Sequence, residues 1–170
     1  MASPIDVTNL ITDEANSQGV PASLALAVAQ QESGFNQSAV GRAGEVGVFQ
    51  LLPSSFPGQD IGDVYTNVNL GVGYLAQLYD QFGSWATALA AYNFGPTNVA
   101  NGKPIPSSTQ SYVQNILSNS GVDSSGDSID AGSIVDYTDA GSPAAAVSPL
   151  SIAALAFIGI GAVIVGMAWS

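Results

Sequence analysis

Apolar residues recur at helical spacings along the first two thirds of the chain, and the breaks between them carry Gly, Pro and Ser. Ile5, Leu10 and Ile11 open a first helix, which Gly19-Val20-Pro21 ends. Pro21 suits the first turn of the next helix. The Ala-rich run from Ala22 to Glu32 predicts that second helix, with Gly34 as its C-terminal cap and Glu32 in its last turn. Residues 46–53 are short, apolar and bounded by Gly and Pro, the pattern of a strand or loop that can wall a cleft. Helical spacing returns with Leu70, Tyr74, Leu75, Leu78 and Phe82, which predict a helix over 69–82. Ser84 is then placed to cap a helix over 85–92, and Tyr112, Val113 and Ile116 share one side of a last helix over 109–117. Residues 1–118 therefore read as one α-rich domain with few strands.

The pattern changes twice after that. Residues 119–149 are rich in Ser, Gly, Asp and Ala, with five acidic residues and no basic one, the composition of a flexible linker. Its apolar islands at Ile129 and Ile134-Val135 are too small to offset the cost of ordering the backbone. From Leu150 to Trp169 no residue is charged, Asn or Gln. A helix of that length is roughly 30 Å long, matching a hydrocarbon core, and Trp169 stands where an interfacial aromatic belongs. A single transmembrane helix over 150–169 is expected, in contact with lipid. The N-terminus has neither a positive n-region nor a continuous apolar h-region, so no cleavable secretory signal is expected.

Composition narrows the chemistry. The 170 residues hold 13 Asp plus Glu, 2 Lys plus Arg, and no His or Cys, for a net charge of -11. A Ser-His-Asp triad, a Cys nucleophile, disulfides and a conventional zinc site are excluded, and no metal or cofactor is expected. Arg42 and Lys103 cannot form the basic footprint that a phosphate backbone demands, so nucleic acid is not an expected partner. Lys103 lies between Gly102 and Pro104, a turn setting that leaves its ammonium in water. What remains for an active site is carboxylates, amides and hydroxyls.

Glu32 is the carboxylate best placed for chemistry. It faces the negative end of the helix dipole, and an apolar run precedes it; both effects are expected to raise its pKa. Around it, Gln31-Glu32-Ser33-Gly34-Phe35-Asn36, then Gly47-Val48-Phe49-Gln50-Leu51-Leu52-Pro53, then Ala91-Tyr92-Asn93-Phe94-Gly95-Pro96 follow in order. Further matching stretches are Asn67-Val68-Asn69-Leu70-Gly71-Val72-Gly73-Tyr74-Leu75 and Thr109-Gln110-Ser111-Tyr112-Val113. Their order and spacing resemble the SLT-type, goose-lysozyme-like lytic transglycosylases over roughly residues 5–117.

The resemblance implies a mostly helical lysozyme-like fold that cleaves the β-1,4 bond between N-acetylmuramic acid and N-acetylglucosamine in the glycan strand of peptidoglycan. It puts Glu32 in the acid/base position, donating to the glycosidic oxygen and then taking the proton of the muramic acid C6 hydroxyl, which closes a 1,6-anhydro ring. One carboxylate suffices because the substrate supplies the nucleophile. By the same resemblance Ser33, Gln50, Tyr92 and Asn93 line the cleft, with the Tyr92 phenol placed to donate to Glu32, and Tyr112 forms part of its wall. Phe49 stands where the family commonly has Met and is expected beside a sugar face. Glu45 is the nearest second acid, at a position the family does not keep acidic, and Asp60 and Asp63 are expected as turn residues or helix caps. The small tail-anchored architecture resembles virion-associated transglycosylases of membrane-containing bacteriophages, which implies a virion membrane, with the bacterial envelope as the alternative. A hydrolytic muramidase on the same fold and a noncatalytic glycan-binding virion membrane protein are the competing readings.

Overall fold

The structure, a computed structural model, describes residues 5–126. The transmembrane helix expected over 150–169 lies outside the described residues, as does the expected linker from 127 to 149. The chain divides into two compact units, residues 1–76 and 77–170.

The first unit is built on two packed helices, α1 (Val7–Gln18) and α2 (Ala22–Ser33). Asp6 caps α1, its carboxylate accepting the backbone N–H groups of Thr8 and Asn9, and Gly19 ends the helix in the left-handed conformation at φ 72°. Pro21 stands one position before α2 rather than inside its first turn, with its carbonyl accepting from Leu24 and Ala25. Ile11, Ala15, Leu24, Ala25, Val28 and Ala29 are fully buried. The apolar spacing of the sequence therefore faces a core. Between residues 34 and 63 the backbone is mostly turns. Val46 makes isolated antiparallel bridges to Val40 and to Leu51, and a single 3-10 turn follows at Pro53–Ser55.

Helix α3 (Val64–Phe82) runs across the boundary between the units. It begins five residues before the expected start at 69. The Asp63 carboxylate accepts the Thr66 backbone N–H at 2.9 Å and the Thr66 hydroxyl at 3.0 Å, so the cap at 63 sets the start. Its apolar spacing becomes regular only further along.

The second unit packs α4 (Trp85–Phe94) against α5 (Pro96–Ala100) and α6 (Ser107–Ser120). Helix α4 is buried on nearly every side, from Trp85 and Ala86 through Ala88 to Tyr92. Ser84 occupies the N-cap position but its side chain makes no capping bond. The Trp85 backbone N–H instead donates to the Ser124 carbonyl at 2.7 Å. That bond corrects the expected domain end. Asn119 and Ser120 belong to α6, Val122 is buried, and the Tyr79 hydroxyl donates to the Ser125 carbonyl at 3.2 Å. Residues 119–126 are thus part of the folded unit, not linker. A composition of Ser, Gly and Asp hides this because the segment is held by backbone groups and one apolar side chain.

Among the described residues, no helix is long and apolar enough to cross a membrane.

Candidate active site

Glu32 sits in the last turn of α2, partly buried. The helix stops because Gly34 turns left-handed at φ 61° and its N–H returns to the Gln30 carbonyl at 3.1 Å. Phe35 then also takes a positive φ of 65°, a conformation that a bulky side chain rarely adopts. Ser33 ties this end of the helix down. Its hydroxyl donates to the Val48 carbonyl at 2.9 Å and accepts the Asn36 N–H at 3.1 Å. Ser33 thus anchors the backbone beside Glu32 to the turn at residues 47–51.

That turn carries Gln50, which is buried and holds a left-handed φ of 47°. Its amide nitrogen donates to the carbonyls of Gly47, at 2.8 Å, and Ala39, at 3.3 Å. Both bonds point inward, so the nitrogen is committed to the protein and only the amide oxygen is left to face a ligand. Phe49 departs from expectation. It is fully buried, and its ring lies against Gly71 of α3, where a Cβ on that glycine would collide with it. It packs in the core rather than beside a sugar.

The second unit carries the remaining expected residues. Tyr92 and Asn93 close α4 and Tyr112 lies on α6; Tyr92 and Tyr112 are buried, Asn93 is partly so. The Thr109 hydroxyl donates to the Asn93 side-chain oxygen at 2.7 Å, which turns the amide and leaves its nitrogen to donate elsewhere. Thr109 is almost wholly buried, and its part in orienting Asn93 is visible only once α4 and α6 are packed.

Asn67 likewise takes its role only from the fold. It is fully buried in α3, at a position of the apolar stripe continued by Leu70, Tyr74 and Leu78. A lone polar residue on such a stripe was the available signal. Asp60 and Asp63 are a turn residue and a helix cap, as their Gly-rich setting suggested. Lys103 is exposed and its ammonium donates to the Asn98 side chain at 2.8 Å. Burial pushes the Tyr74 phenol well above its usual range, so it stays neutral. Among the described residues no three His, Cys, Asp or Glu side chains come together as a metal site would need.

Comparison with known proteins decides the family. The transglycosylase SLT domain matches residues 9–114.

The chain belongs to the transglycosylase SLT family.

The SLT match spans both described units, from α1 into α6. Escherichia coli K12 soluble lytic murein transglycosylase is 32% identical over 144 residues, covering 67% of this chain and 22% of that protein. Its Salmonella typhimurium counterpart is 31% identical with the same coverage. The chain therefore spans about a fifth of the length of the curated relatives it matches. Among solved structures, the Escherichia coli 70 kDa soluble lytic transglycosylase superposes with a TM-score of 0.61 at 30% identity, covering 69% of this chain and 24% of that one. An inactive mutant of the Pseudomonas aeruginosa lytic transglycosylase Slt gives 0.58 at 28% identity with the same coverage. A third match, at TM-score 0.59 and 28% identity, is the 70-kDa soluble lytic transglycosylase in complex with bulgecin A. The SLT domain here is accordingly mostly helical and lysozyme-like.

Proposed function

We propose that this chain is a peptidoglycan lytic transglycosylase in which Glu32 is the acid and the base. The observation that carries the reading is the position of Glu32: a partly buried carboxyl in the last turn of α2, inside the SLT match, with its neighbour Ser33 fastened to Val48. Curated relatives of the same family are soluble lytic murein transglycosylases, which supports the substrate class.

The reaction needs one proton moved twice. The protonated Glu32 carboxyl donates to the glycosidic oxygen between N-acetylmuramic acid and N-acetylglucosamine while the bond from the muramic acid anomeric carbon to that oxygen breaks. The resulting carboxylate takes the proton of the muramic acid C6 hydroxyl, whose oxygen bonds to the anomeric carbon and closes the 1,6-anhydro ring. Glu32 ends protonated and no water is consumed. General acid catalysis of this kind contributes typically about 10²- to 10⁴-fold in rate. Ser33, Gln50, Tyr92, Asn93 and Tyr112 are read as the glycan-binding residues.

Residues 150–169 are proposed to anchor the enzyme in a lipid membrane, with the acidic segment before them as a tether. The support is the 20-residue stretch without a charged residue. On this reading the enzyme is a virion membrane component that opens the cell wall locally during phage genome delivery. Flotation of the full chain with liposomes, and its loss on deleting 150–169, tests the anchor.

The test of the chemistry is digestion of purified sacculi by the full chain and by Glu32→Gln. The parent is expected to release 1,6-anhydromuropeptides, seen by mass spectrometry, and the variant at least 100-fold less. Reducing muramic acid ends in place of anhydro ends would convert the reading to a hydrolytic muramidase. Equal clearing by parent and variant would remove Glu32 from the chemistry.

A further inference from the structure

Gln37 lies five positions beyond Glu32, partly buried, and has no part in the proposed chemistry. The chain reaches it by a sharp reversal, because Gly34 and Phe35 both take a positive φ directly after the end of α2. For Phe35 that conformation is strained, and such strain persists only where the surroundings enforce it. The reversal lays residues 36–39 beside the turn of Gln50. There the Ala39 carbonyl accepts the Gly47 N–H at 2.9 Å and the Gln50 side-chain nitrogen at 3.3 Å.

Gln37 acts on the centre of that turn. Val48 is fully buried, so its backbone N–H and carbonyl both need partners within the protein. Both partners come from the segment that follows Glu32. The Ser33 hydroxyl donates to the Val48 carbonyl at 2.9 Å, and the Val48 N–H donates to Gln37 Oε1 at 3.2 Å. The Gln37 nitrogen points the other way and donates to the carbonyls of Gly62, at 2.9 Å, and Ile61, at 3.2 Å. One amide therefore ties together the segment after α2, the turn of Gln50 and the loop that leads into α3. Gly47 makes room for it, since a Cβ there would collide with the amides of both Gln37 and Asn67.

We propose that Gln37 is a positioning residue for transglycosylation: by fixing the Val48 N–H it sets where the Gln50 amide oxygen stands relative to the Glu32 carboxyl. The inference rests on the transglycosylase reading and deepens it. Ser33 alone would hold Val48 to the end of α2 at one point, about which the turn can rotate. Gln37 supplies a second point, and two points fix an orientation. Gln50 follows Val48 by two residues and moves with it. A misplacement of about 1 Å can cost roughly 10²-fold in rate. Tyr92, Asn93 and Tyr112 stand on other elements, α4 and α6, so the glycan is still bound when the turn shifts.

The test measures anhydromuropeptide release from soluble, uncross-linked peptidoglycan strands at about 20 °C, by the full chain and three variants, with thermal melting of each. Gln37→Met keeps the length of the side chain without its hydrogen bonds; kcat is expected to fall at least roughly tenfold with KM within about threefold of the parent. Asp63→Ala removes the cap of α3 instead and is expected to keep the parent's kcat. Gln37→Glu turns an acceptor toward the Ile61 and Gly62 carbonyls when ionised and a donor when protonated. Its kcat relative to the parent at the same pH is therefore expected to rise several-fold between about pH 7 and about pH 4.5. Parent-like kcat in Gln37→Met, or an equal loss in Asp63→Ala, would make Gln37 structural and overturns the proposal, while anhydro products from the parent leave the transglycosylase reading standing. Where Gln37→Met does not fold, the Gln37→Glu ratio decides, and a ratio constant with pH overturns the proposal. A parent that releases no muropeptides overturns the transglycosylase reading itself.

Discussion

The Asn67 side-chain oxygen accepts the Phe49 backbone N–H at 2.9 Å, and the Asn67 nitrogen donates to the carbonyls of Val46, at 2.9 Å, and Ile61, at 3.0 Å. One fully buried amide therefore supplies the hydrogen bonds that a strand neighbour would otherwise give to the turn carrying Gln50. The turn has only isolated bridges of its own, so its shape depends on a helix residue about 18 positions away in sequence.

Replacing Asn67 by Leu is expected to loosen the turn and destabilise the fold. The Phe49 N–H would lose this acceptor, while the Val46 and Ile61 carbonyls would each lose one donor and keep those of Leu51 and Gln37, and a loss of about 1–3 kcal/mol follows. Urea unfolding monitored by circular dichroism reads it as a lower midpoint. A midpoint within error of the parent would show that water or a rearranged backbone replaces Asn67.

Two glycines of α3 should respond oppositely to the same substitution. Gly→Ala inside a helix ordinarily stabilises by up to about 1 kcal/mol. At Gly71 the added methyl would run into Cβ and the ring of Phe49, which is fully buried and has nowhere to go. At Gly73 it would meet the far end of the Gln18 side chain, which can swing away. Gly71→Ala is expected to lower the melting temperature by several degrees and Gly73→Ala to leave it equal or higher.

The caps of α1 and α3 set an acid limit on stability. The Thr8 hydroxyl, with the Asn9 N–H, holds the Asp6 carboxyl below its usual 3.8. The Thr66 N–H, with the Thr66 hydroxyl, does the same for Asp63. A depressed folded-state pKa contributes stability above the unfolded value, and that contribution disappears as the pH falls through the folded one. Asp63→Ala should therefore melt lower than the parent at pH 7, with the gap closing below about pH 4 as the parent's carboxyl protonates. A gap that stays constant down to pH 2 would mean that the bonds to Thr66 do not carry the effect.

Thr109 acts through Asn93. Thr109→Val keeps the shape of the side chain and removes the donor to the Asn93 oxygen. With Asn93 free to turn, the KM for peptidoglycan is expected to rise several-fold while kcat moves less, and Thr109→Ser should restore it. Loss of kcat at unchanged KM, or no rescue by Ser, would assign Thr109 to packing instead.

Helix content, the cap at Gly34, the place of Glu32 in the last turn of α2 and the candidate glycan-binding residues could all be read along the chain. Each rests on local order: apolar spacing, a glycine that adopts a left-handed turn, and short motifs in a fixed sequence. The start of α3 at Val64 and the extent of the second unit to residue 126 could not, because they depend on the Asp63 cap and on a bond between Trp85 and Ser124 that sequence distance conceals. Packing also decided which side chains were free. Phe49 went to the core, Gln50 turned its nitrogen inward, and Glu45 folded under Gly41. A linear pattern records which residue types are present and how they repeat. Where a polar atom finds its partner is fixed only when distant segments close around it, since a buried donor or acceptor takes whichever partner the fold brings within reach.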